Sequence, residues 1–242
     1  MAKYLFRILR FNPARDEKPY FQEFSYEASE KDSVLDALRS IRDNLDPTLA
    51  FRYSCREAVC GACGMVINGQ ITLACRTILE SLKSQVVVIE PLPNFEIQKD
   101  LMVDMTPFWK ALREIKPFLH PQPEIPEKGY RIEEKQMERI YQFINCILCG
   151  CCYSACPVVA RRQGYLGPAA LAKLYRFVED PRDKRSFSSW AKVDRPDGVW
   201  ACDTVFRCHE VCPKNVRPAD GIEGLRRKLV VEKIKRLFKK EP

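Results

Sequence analysis

The chain contains 242 residues, 46% of them hydrophobic and 30% charged, and these fractions are typical of soluble globular proteins and exclude disordered and collagen-like classes. Its formal net charge is +8, but no basic stripe interleaved with aromatic residues accompanies that charge, so we expect no nucleic-acid partner. No apolar run approaches the ~18 residues that a membrane span requires, and charges at Arg7 and Arg10 interrupt the N-terminal apolar stretch. The sequence therefore predicts neither a transmembrane segment nor a secretory signal.

Residues 1–105 are predicted to form a small α+β domain. Two apolar segments, Tyr4–Phe11 and Phe21–Tyr26, are predicted to be strands because turn-forming and charged residues separate them. Ser33 is the expected N-cap of a helix that ends before Pro47, since apolar side chains follow it at helical spacing. That apolar stripe consists of Val34, Leu35, Leu38, Ile41 and Leu45.

A first cysteine group follows the predicted helix, with members Cys55, Cys60, Cys63 and Cys75. The C-x4-C-x2-C part of this group is typical of plant-type [2Fe–2S] proteins, in which four thiolates hold the cluster. Gly61 and Gly64 allow the backbone to fold tightly around the cluster and to direct N–H groups at sulfur. A zinc site is the alternative, but structural zinc ligands usually come as two closely spaced pairs and only one such pair is present.

Further strands and a connector complete the first half of the chain. Asn68-Gly69 predicts a β-hairpin, and Val86–Ile89 predicts a closing strand. A helix is predicted over Leu101–Ile115, and the prolines that follow it indicate an extended, semi-rigid connector. These prolines are Pro117, Pro121, Pro123 and Pro126.

Residues 106–242 are predicted to form a second, all-α domain with cysteine-bearing loops between its helices. The helical pattern covers Ile132–Ile144, Pro168–Val178 and Ile222–Phe238. Pro157 and Pro213 each stand where a helix could begin, because proline suits the first helical position.

A second cysteine group has the spacing C-x2-C-x2-C-x3-C-P of bacterial ferredoxins and consists of Cys146, Cys149, Cys152 and Cys156. In two-cluster ferredoxins the fourth cysteine of such a run binds the other cluster, so a second run is required. Cys202, Cys208 and Cys212, the last followed by Pro213, supply it. By this rule Cys212 completes a [4Fe–4S] cluster on Cys146, Cys149 and Cys152.

The remaining cluster has only three cysteine ligands, which are Cys156, Cys202 and Cys208. The position that would supply a fourth ligand is Val205, an apolar residue that cannot bind iron. The sequence therefore predicts a [3Fe–4S] cluster, with a [4Fe–4S] cluster completed by Asp203 or water as the alternative. Cys151 is left over and is expected to be a buried, small apolar residue beside the cluster.

Three clusters without a nucleophile–base pair, a phosphate-binding loop or a nucleotide fingerprint predict an electron carrier with no catalytic residues of its own. The excess of positive charge fits this prediction, because clusters bound by thiolates carry net negative charge.

The motifs SCREAVCGACG, CILCGCCYSACP and CDTVFRCHEVCPKN together resemble the iron–sulfur subunit of succinate dehydrogenase and fumarate reductase. The resemblance implies an N-terminal β-grasp domain like plant-type ferredoxins and a helical C-terminal domain like bacterial ferredoxins. It also implies a flavoprotein subunit with covalent FAD, and a membrane anchor that binds quinone and in many relatives haem b. The subunit is then expected to relay electrons between FAD and quinone, as a peripheral protein on the cytoplasmic face of the inner membrane.

The resemblance also indicates residues near the quinone, which are Pro157, Asp203, Glu223 and Arg226. Relatives that use ubiquinone commonly carry tryptophans after the cysteine-proline pair and a histidine where this chain has Asp203. Their absence favours menaquinone. For Glu223 and Arg226, the alternative is an ordinary solvated helix face.

Three other classes of protein share some of these features. They are a relative with a thiol-driven soluble partner, a free multi-cluster ferredoxin and a zinc-binding interaction protein.

Overall fold

Contacts within the computed structural model, which describes residues 2–122, 124 and 126–238, divide the chain into two units. The N-terminal unit is Met1–Met105 together with Ile147–Ala155, and the helical unit is Thr106–Cys146 together with Cys156–Pro242. The sequence assigns Ile147–Ala155 to the second domain, whereas the contacts of this segment group it with the N-terminal unit. This segment carries Cys149 and Cys152, so its position matters for the cysteine sites.

A five-stranded mixed sheet forms the framework of the N-terminal unit, in the order β2-β1-β5-β3-β4. Strand β1 pairs antiparallel with β2 and parallel with β5, and β3 pairs antiparallel with β5 and β4. The strands are β1 (Ala2–Arg10), β2 (Tyr20–Ala28), β3 (Gly64–Ile67), β4 (Gln70–Leu73) and β5 (Val86–Glu90). Asn68 and Gly69 both have positive φ in the β3–β4 turn, as the predicted hairpin requires.

Helix α1 (Val34–Asn44) supplies the apolar face that covers the core of this unit. Ser33 caps it as predicted, because the Ser33 hydroxyl accepts from the Asp36 N–H while the Asp36 carboxylate accepts from the Ser33 N–H. The buried stripe ends at Ile41, since Leu45 lies at the C-cap and is 58% exposed. The core side chains below 1% exposure include Phe6, Ile8, Val34, Leu38, Ile41, Val87 and Ile89.

A buried ionic network fixes the start of the first cysteine loop. Arg10 donates to Asp100 (3.0 Å), Asp46 (2.6 Å) and Thr48 (2.8 Å). Asp100 also accepts from the backbone N–H of Ala50 at 2.9 Å. Because each buried charge has several partners, the network holds the chain in place immediately before that loop.

The region predicted as one helix over Leu101–Ile115 is a short strand followed by a helix. Strand β7 (Met102–Val103) pairs with β6 (Ile97–Lys99), and helix α2 (Thr106–Glu114) begins only after them. The prediction failed because the partner strand that captures Met102 is not visible in local helical spacing.

Most of the other helices lie in the helical unit, and two of them, α6 (Gly167–Val178) and α9 (Pro218–Phe238), pack closely. Gly221 and Gly224 allow this approach, because a Cβ at Gly221 would lie 3.1 Å from the Ala172 Cα. The helices are α3 (Glu134–Ile144), α5 (Pro157–Arg161), α6 (Gly167–Val178), α7 (Phe187–Trp190), α8 (Arg207–Glu210) and α9 (Pro218–Phe238), while α4 (Cys151–Ser154) belongs to the N-terminal unit. Pro157 begins α5 as predicted, whereas Pro213 begins no helix.

The connector after α2 is anchored by Arg185, which donates to the carbonyl oxygens of Ile115 (3.3 Å) and Phe118 (2.8 Å). Asp183 pairs with Arg185 and accepts from the His120 N–H at 3.1 Å. Pro123 of the predicted connector lies outside the described residues. Within the ranges described above, no helix combines the length and apolar character needed to cross a membrane.

Candidate metal centres

The loop that carries Cys55 and Cys60 directs backbone N–H groups at sulfur. The N–H groups of Glu57, Val59 and Cys60 donate to the Cys55 Sγ at 3.4, 3.3 and 3.2 Å. Arg56 and Ala58 adopt left-handed φ values of 61° and 53°. These turns wrap the backbone around a sulfur atom, as expected for a loop that holds a thiolate.

The hydrogen bonds from the loop backbone, first that of Glu57, lower the pKa of the Cys55 thiol to about 6. Burial raises the pKa of Cys63 to about 12, and the neighbouring Cys75 and Cys60 thiolates contribute. A buried thiolate beside other thiolates needs a compensating positive charge, which bound iron would supply. The donor set therefore fits a cluster held by thiolates.

The β3–β4 hairpin explains the long spacing between Cys63 and Cys75. Gly64 pairs with Leu73 at the open end of the hairpin, and Cys63 directly precedes it while Cys75 follows it. The Ala74 N–H donates to the Cys63 carbonyl at 3.0 Å. The hairpin thus brings the two distant members of the first cysteine group side by side.

The first cysteine loop also touches the segment Ile147–Ala155 within the N-terminal unit. Gly61 has a φ of +71°, and a Cβ at this position would lie 2.8 Å from the Cys149 Cβ and 3.0 Å from the Ile147 carbonyl oxygen. Cys151 is fully buried nearby, as predicted. Only glycine satisfies both the conformation and the close approach at position 61.

The predicted ligands of the second cluster are found two in each unit. Cys149 and Cys152 lie in the N-terminal unit, where contact with Cys151 lowers the pKa of Cys149. Cys146 and Cys212 lie in the helical unit and pack against one hydrophobic cluster that contains Phe143, Ala172 and Val216. The Val216 N–H donates to the Cys212 Sγ at 3.2 Å, the type of contact that stabilises a thiolate.

The three predicted ligands of the third cluster, Cys156, Cys202 and Cys208, line one cavity of the helical unit. Burial, together with the charges of Cys202 and Cys156, raises the pKa of Cys208 to about 12. Burial likewise raises the pKa of Cys156, with a contribution from Cys202. Three cysteine side chains that line one cavity, two of them hard to ionise without a compensating positive charge, fit a site for a polynuclear, positively charged iron core.

Val205 also lines this cavity, and its backbone position matches that of Cys149. Leu148 and Gly150 have positive φ, and so do Thr204 and Phe206, the corresponding residues of the later run. In each run the left-handed pair flanks the middle position, which is Cys149 in one and Val205 in the other. The two runs therefore share this pattern of left-handed residues and differ in the side chain between them, which is cysteine in one run and valine in the other.

The residues predicted to lie near a quinone adjoin the loop that bears Cys202. Pro157 and Asp203 line the third-cluster cavity, and Arg161 contacts both the Pro157 carbonyl and the Asp203 carboxylate. Arg226 does not lie on a solvated face, because its side chain is 17% exposed and pairs with Glu223.

Arg226 forms hydrogen bonds with the loop over residues 199–204 that carries Cys202, which is called the third-cluster loop below. Its guanidinium donates to the carbonyl oxygens of Val199 (2.9 Å) and Cys202 (2.6 Å) and to the Thr204 hydroxyl (3.3 Å). No motif predicted this contact, since it joins residues more than twenty positions apart. Tyr165, which also lines the cavity, is a second residue that no sequence signal indicated.

Two protein families match consecutive parts of the chain. Residues 5–110 match the 2Fe-2S iron-sulfur cluster binding domain, and residues 142–216 match the 4Fe-4S dicluster domain. The sheet-containing N-terminal region is thus a [2Fe–2S] ferredoxin domain, and the helical C-terminal region carries a 4Fe–4S domain. These features define an iron–sulfur protein of the electron-transfer class.

Curated relatives identify the family within that class. The fumarate reductase iron-sulfur subunit of Escherichia coli O6:H1 is 42% identical over 219 residues, which cover 89% of this chain and 88% of the relative. The succinate dehydrogenase iron-sulfur subunit of Coxiella burnetii is 39% identical over 230 residues, which cover 94% of this chain and 97% of the relative. This chain belongs to the family of iron–sulfur subunits of fumarate reductase and succinate dehydrogenase, so the resemblance predicted from the motifs is confirmed.

A solved structure supports the fold. The chain matches a chain of the Mycobacterium smegmatis Sdh1 complex in the apo form with a TM-score of 0.86 and 24% identity, covering 96% of this chain and 97% of that one.

Proposed function

We propose that this chain relays electrons between the FAD of a flavoprotein subunit and a quinone at a membrane anchor, in a succinate:quinone or quinol:fumarate oxidoreductase. The observation that carries the proposal is the grouping of cysteines into sites with distinct surroundings along one chain. When bound, the clusters supply one-electron transfer. The residues of this chain hold the clusters and exclude water, and none of them acts on succinate or fumarate.

The first and second centres would be neighbours in this relay. Cys55, Cys60, Cys63 and Cys75 are the proposed ligands of a [2Fe–2S] cluster, and Cys146, Cys149, Cys152 and Cys212 those of a [4Fe–4S] cluster. The close approach of Gly61 to Cys149 supports their proximity. Short distances between centres favour electron transfer between them.

The third centre is proposed to be a [3Fe–4S] cluster on Cys156, Cys202 and Cys208. Val205 supports this assignment, because it occupies the backbone position of a ligand and offers no donor atom. The alternative fourth ligand, Asp203, is paired with Arg161, which makes it less available to iron.

The two domains of the proposed assignment are a β-grasp domain over residues 1–105 and a bacterial-ferredoxin-like helical domain over residues 106–242. The sheet order with β1 parallel to β5 and α1 packed on the sheet supports the first. The matching left-handed positions in the two cysteine runs support the second, because such repetition is expected of a two-cluster ferredoxin domain.

The quinone end is proposed to lie beside the third-cluster cavity, near Pro157, Asp203, Glu223 and Arg226. Menaquinone is favoured over ubiquinone, since Asp203 stands where ubiquinone-linked relatives commonly have histidine. The subunit would be peripheral, held at the cytoplasmic face of the inner membrane by an anchor subunit that in many relatives binds haem b.

Purification through a tag on this chain in mild detergent tests the proposal. We expect co-elution with a FAD-bearing chain and membrane chains, a [2Fe–2S] EPR signal after dithionite reduction and a [3Fe–4S] signal after oxidation. A coloured chain that elutes alone would identify a free multi-cluster ferredoxin, and a colourless chain that holds zinc would identify an interaction protein.

Adjacent cysteines provide a matched pair for the ligand assignment. Cys152→Ala should abolish the [4Fe–4S] cluster, whereas Cys151→Ala should leave all three clusters in place. Mössbauer spectra of the anaerobic complexes measure both outcomes, and a cluster lost only in the Cys151 variant would contradict the assignment.

A further inference from the structure

Tyr165 places a buried hydroxyl in the third-cluster cavity. The residue is 4% exposed and lines the cavity together with Cys156, Cys202 and Cys208. Its hydroxyl is buried and makes no hydrogen bond of standard geometry with the described residues, and the side chain of Cys202 lies beside it. Buried polar groups of native proteins nearly always have a partner, because leaving one without costs about 1–3 kcal/mol.

The fold fixes Tyr165 in this position. Gly164 and Gly167 adopt left-handed φ values of +84° and +81° on either side of it, and the Tyr165 N–H donates to the Arg162 carbonyl at 3.4 Å. A tight loop at the start of α6 therefore holds the ring against the cavity. A phenylalanine would fill the same volume without the buried hydroxyl.

A tyrosine phenol is protonated at neutral pH and can donate one hydrogen bond. The three cysteines that line the cavity together with Tyr165 place sulfur atoms beside it. The groups near its hydroxyl are those proposed above to bind the third cluster.

We propose that the Tyr165 hydroxyl donates a hydrogen bond to sulfur of the third iron–sulfur cluster and thereby raises the reduction potential of that cluster. This inference rests on the proposed function. Hydrogen bonds to the sulfur atoms are among the features that set cluster potentials. Reduction adds negative charge, so a donor stabilises the reduced state more than the oxidised state.

The first test is Tyr165→Phe in the intact complex, with an EPR-monitored redox titration of the oxidised [3Fe–4S] signal. At the wild-type midpoint potential, the ratio of reduced to oxidised third cluster should fall about tenfold, which equals about 59 mV for a one-electron couple. Tyr141→Phe is the matched control, because Tyr141 is exposed on α3 of the same unit. The control should leave the potential unchanged.

A second substitution keeps the ring and the hydroxyl and changes only the strength of the donor. Incorporation of 3-fluorotyrosine at position 165 makes the phenol more acidic, so the potential of the third cluster should rise. Shifts of opposite sign for Tyr165→Phe and 3-fluorotyrosine would not follow from a change in packing. If the Tyr165→Phe complex does not retain the third cluster, the potential measured for the 3-fluorotyrosine complex still tests whether the hydroxyl donates to sulfur.

The outcomes separate this inference from the proposed function. A normal [3Fe–4S] signal whose potential does not respond to either substitution overturns the role of Tyr165 and leaves the electron relay intact. A wild-type complex without any oxidised [3Fe–4S] signal overturns the proposed third centre itself.

Discussion

At the scale of single residues, the cysteine sites depend on backbone groups that the sequence does not reveal. Cys55 receives three N–H donors because Arg56 and Ala58 are left-handed, although neither residue type favours that conformation. Cysteine spacing selects the candidate metal-binding residues. It could not predict that Arg226 braces the Cys202 carbonyl, since that contact depends on how α9 packs.

Val205→Cys should convert the third cluster into a four-iron cluster. The substitution places a thiol at the backbone position that corresponds to Cys149, between the left-handed residues Thr204 and Phe206. We expect loss of the oxidised [3Fe–4S] EPR signal and an additional iron in Mössbauer spectra. Val205→Ala is the control and should keep three irons, and an unchanged EPR signal in the cysteine variant would contradict the ligand assignment.

Arg226→Gln should loosen the third-cluster loop. The substitution removes hydrogen bonds to the Val199 and Cys202 carbonyl oxygens, and each bond to a charged group contributes about 1.5–3 kcal/mol. We expect a lower occupancy of the third cluster, measured by spin quantitation of its oxidised EPR signal, and faster loss of the cluster on warming.

Two further variants give that experiment its controls. Arg227→Gln changes the exposed neighbouring cation and should have no effect on cluster occupancy. Arg226→Lys keeps the charge but cannot reach all the acceptors, so it should restore occupancy only in part. Equal losses in the Arg226 and Arg227 glutamine variants would indicate a general effect of charge.

At the scale of elements, cap and turn signals predicted local structure correctly, whereas helical spacing and a favourable proline did not. Ser33 and the Asn68-Gly69 turn act within a few positions, and both form as predicted. Helical spacing predicts a helix from Leu101, but Met102–Val103 pairs with Ile97–Lys99 only a few residues earlier. Pro213 meets the rule for a first helical residue, yet the chain forms a turn there and α9 begins only at Pro218. Within this turn the Val216 N–H donates to the Cys212 Sγ.

Gly224→Ala should destabilise the contact between α9 and α6. A Cβ at this position would lie 2.6 Å from the Tyr175 Cζ and closer to Cε2, and overpacking typically costs about 1–3 kcal/mol. The gain of about 1 kcal/mol in helix propensity offsets only part of this cost. Thermal denaturation should show a lower midpoint, and the same substitution in a Tyr175→Ala background should be neutral or stabilising.

At the scale of the whole molecule, the continuous stretch of residues 146–156 is divided between the two units. Cys146 and Cys156 belong to the helical unit, while Ile147–Ala155 between them belongs to the N-terminal unit. The sequence predicts cluster ligands in this stretch and assigns all of it to the second domain. No local pattern identifies the packing of Gly61 on Cys149 or the stacking of Phe95 on Tyr153, which attach it to the N-terminal unit.

Gly61→Ala should therefore reduce the occupancy of both the [2Fe–2S] and the [4Fe–4S] cluster. The added Cβ would meet the Cys149 Cβ at 2.8 Å and the Cys149 Cα at 2.9 Å, in a residue whose φ is +71°. Because the contact is with backbone, the loop or the Cys149 segment must move. We expect reduced occupancy of both the [2Fe–2S] and [4Fe–4S] clusters by Mössbauer spectroscopy, and slower electron transfer to quinone.

Gly69→Ala is the matched control for this variant. Gly69 has a similar φ of +77°, but a Cβ there would meet nothing within 4 Å, so the variant incurs only the left-handed strain of about 1–2 kcal/mol. It should lower the stability of the hairpin slightly and leave all clusters occupied. If Gly61→Ala affected the [2Fe–2S] cluster alone, the contact with Cys149 would not couple the two centres, and their proximity would have to be supported by other contacts.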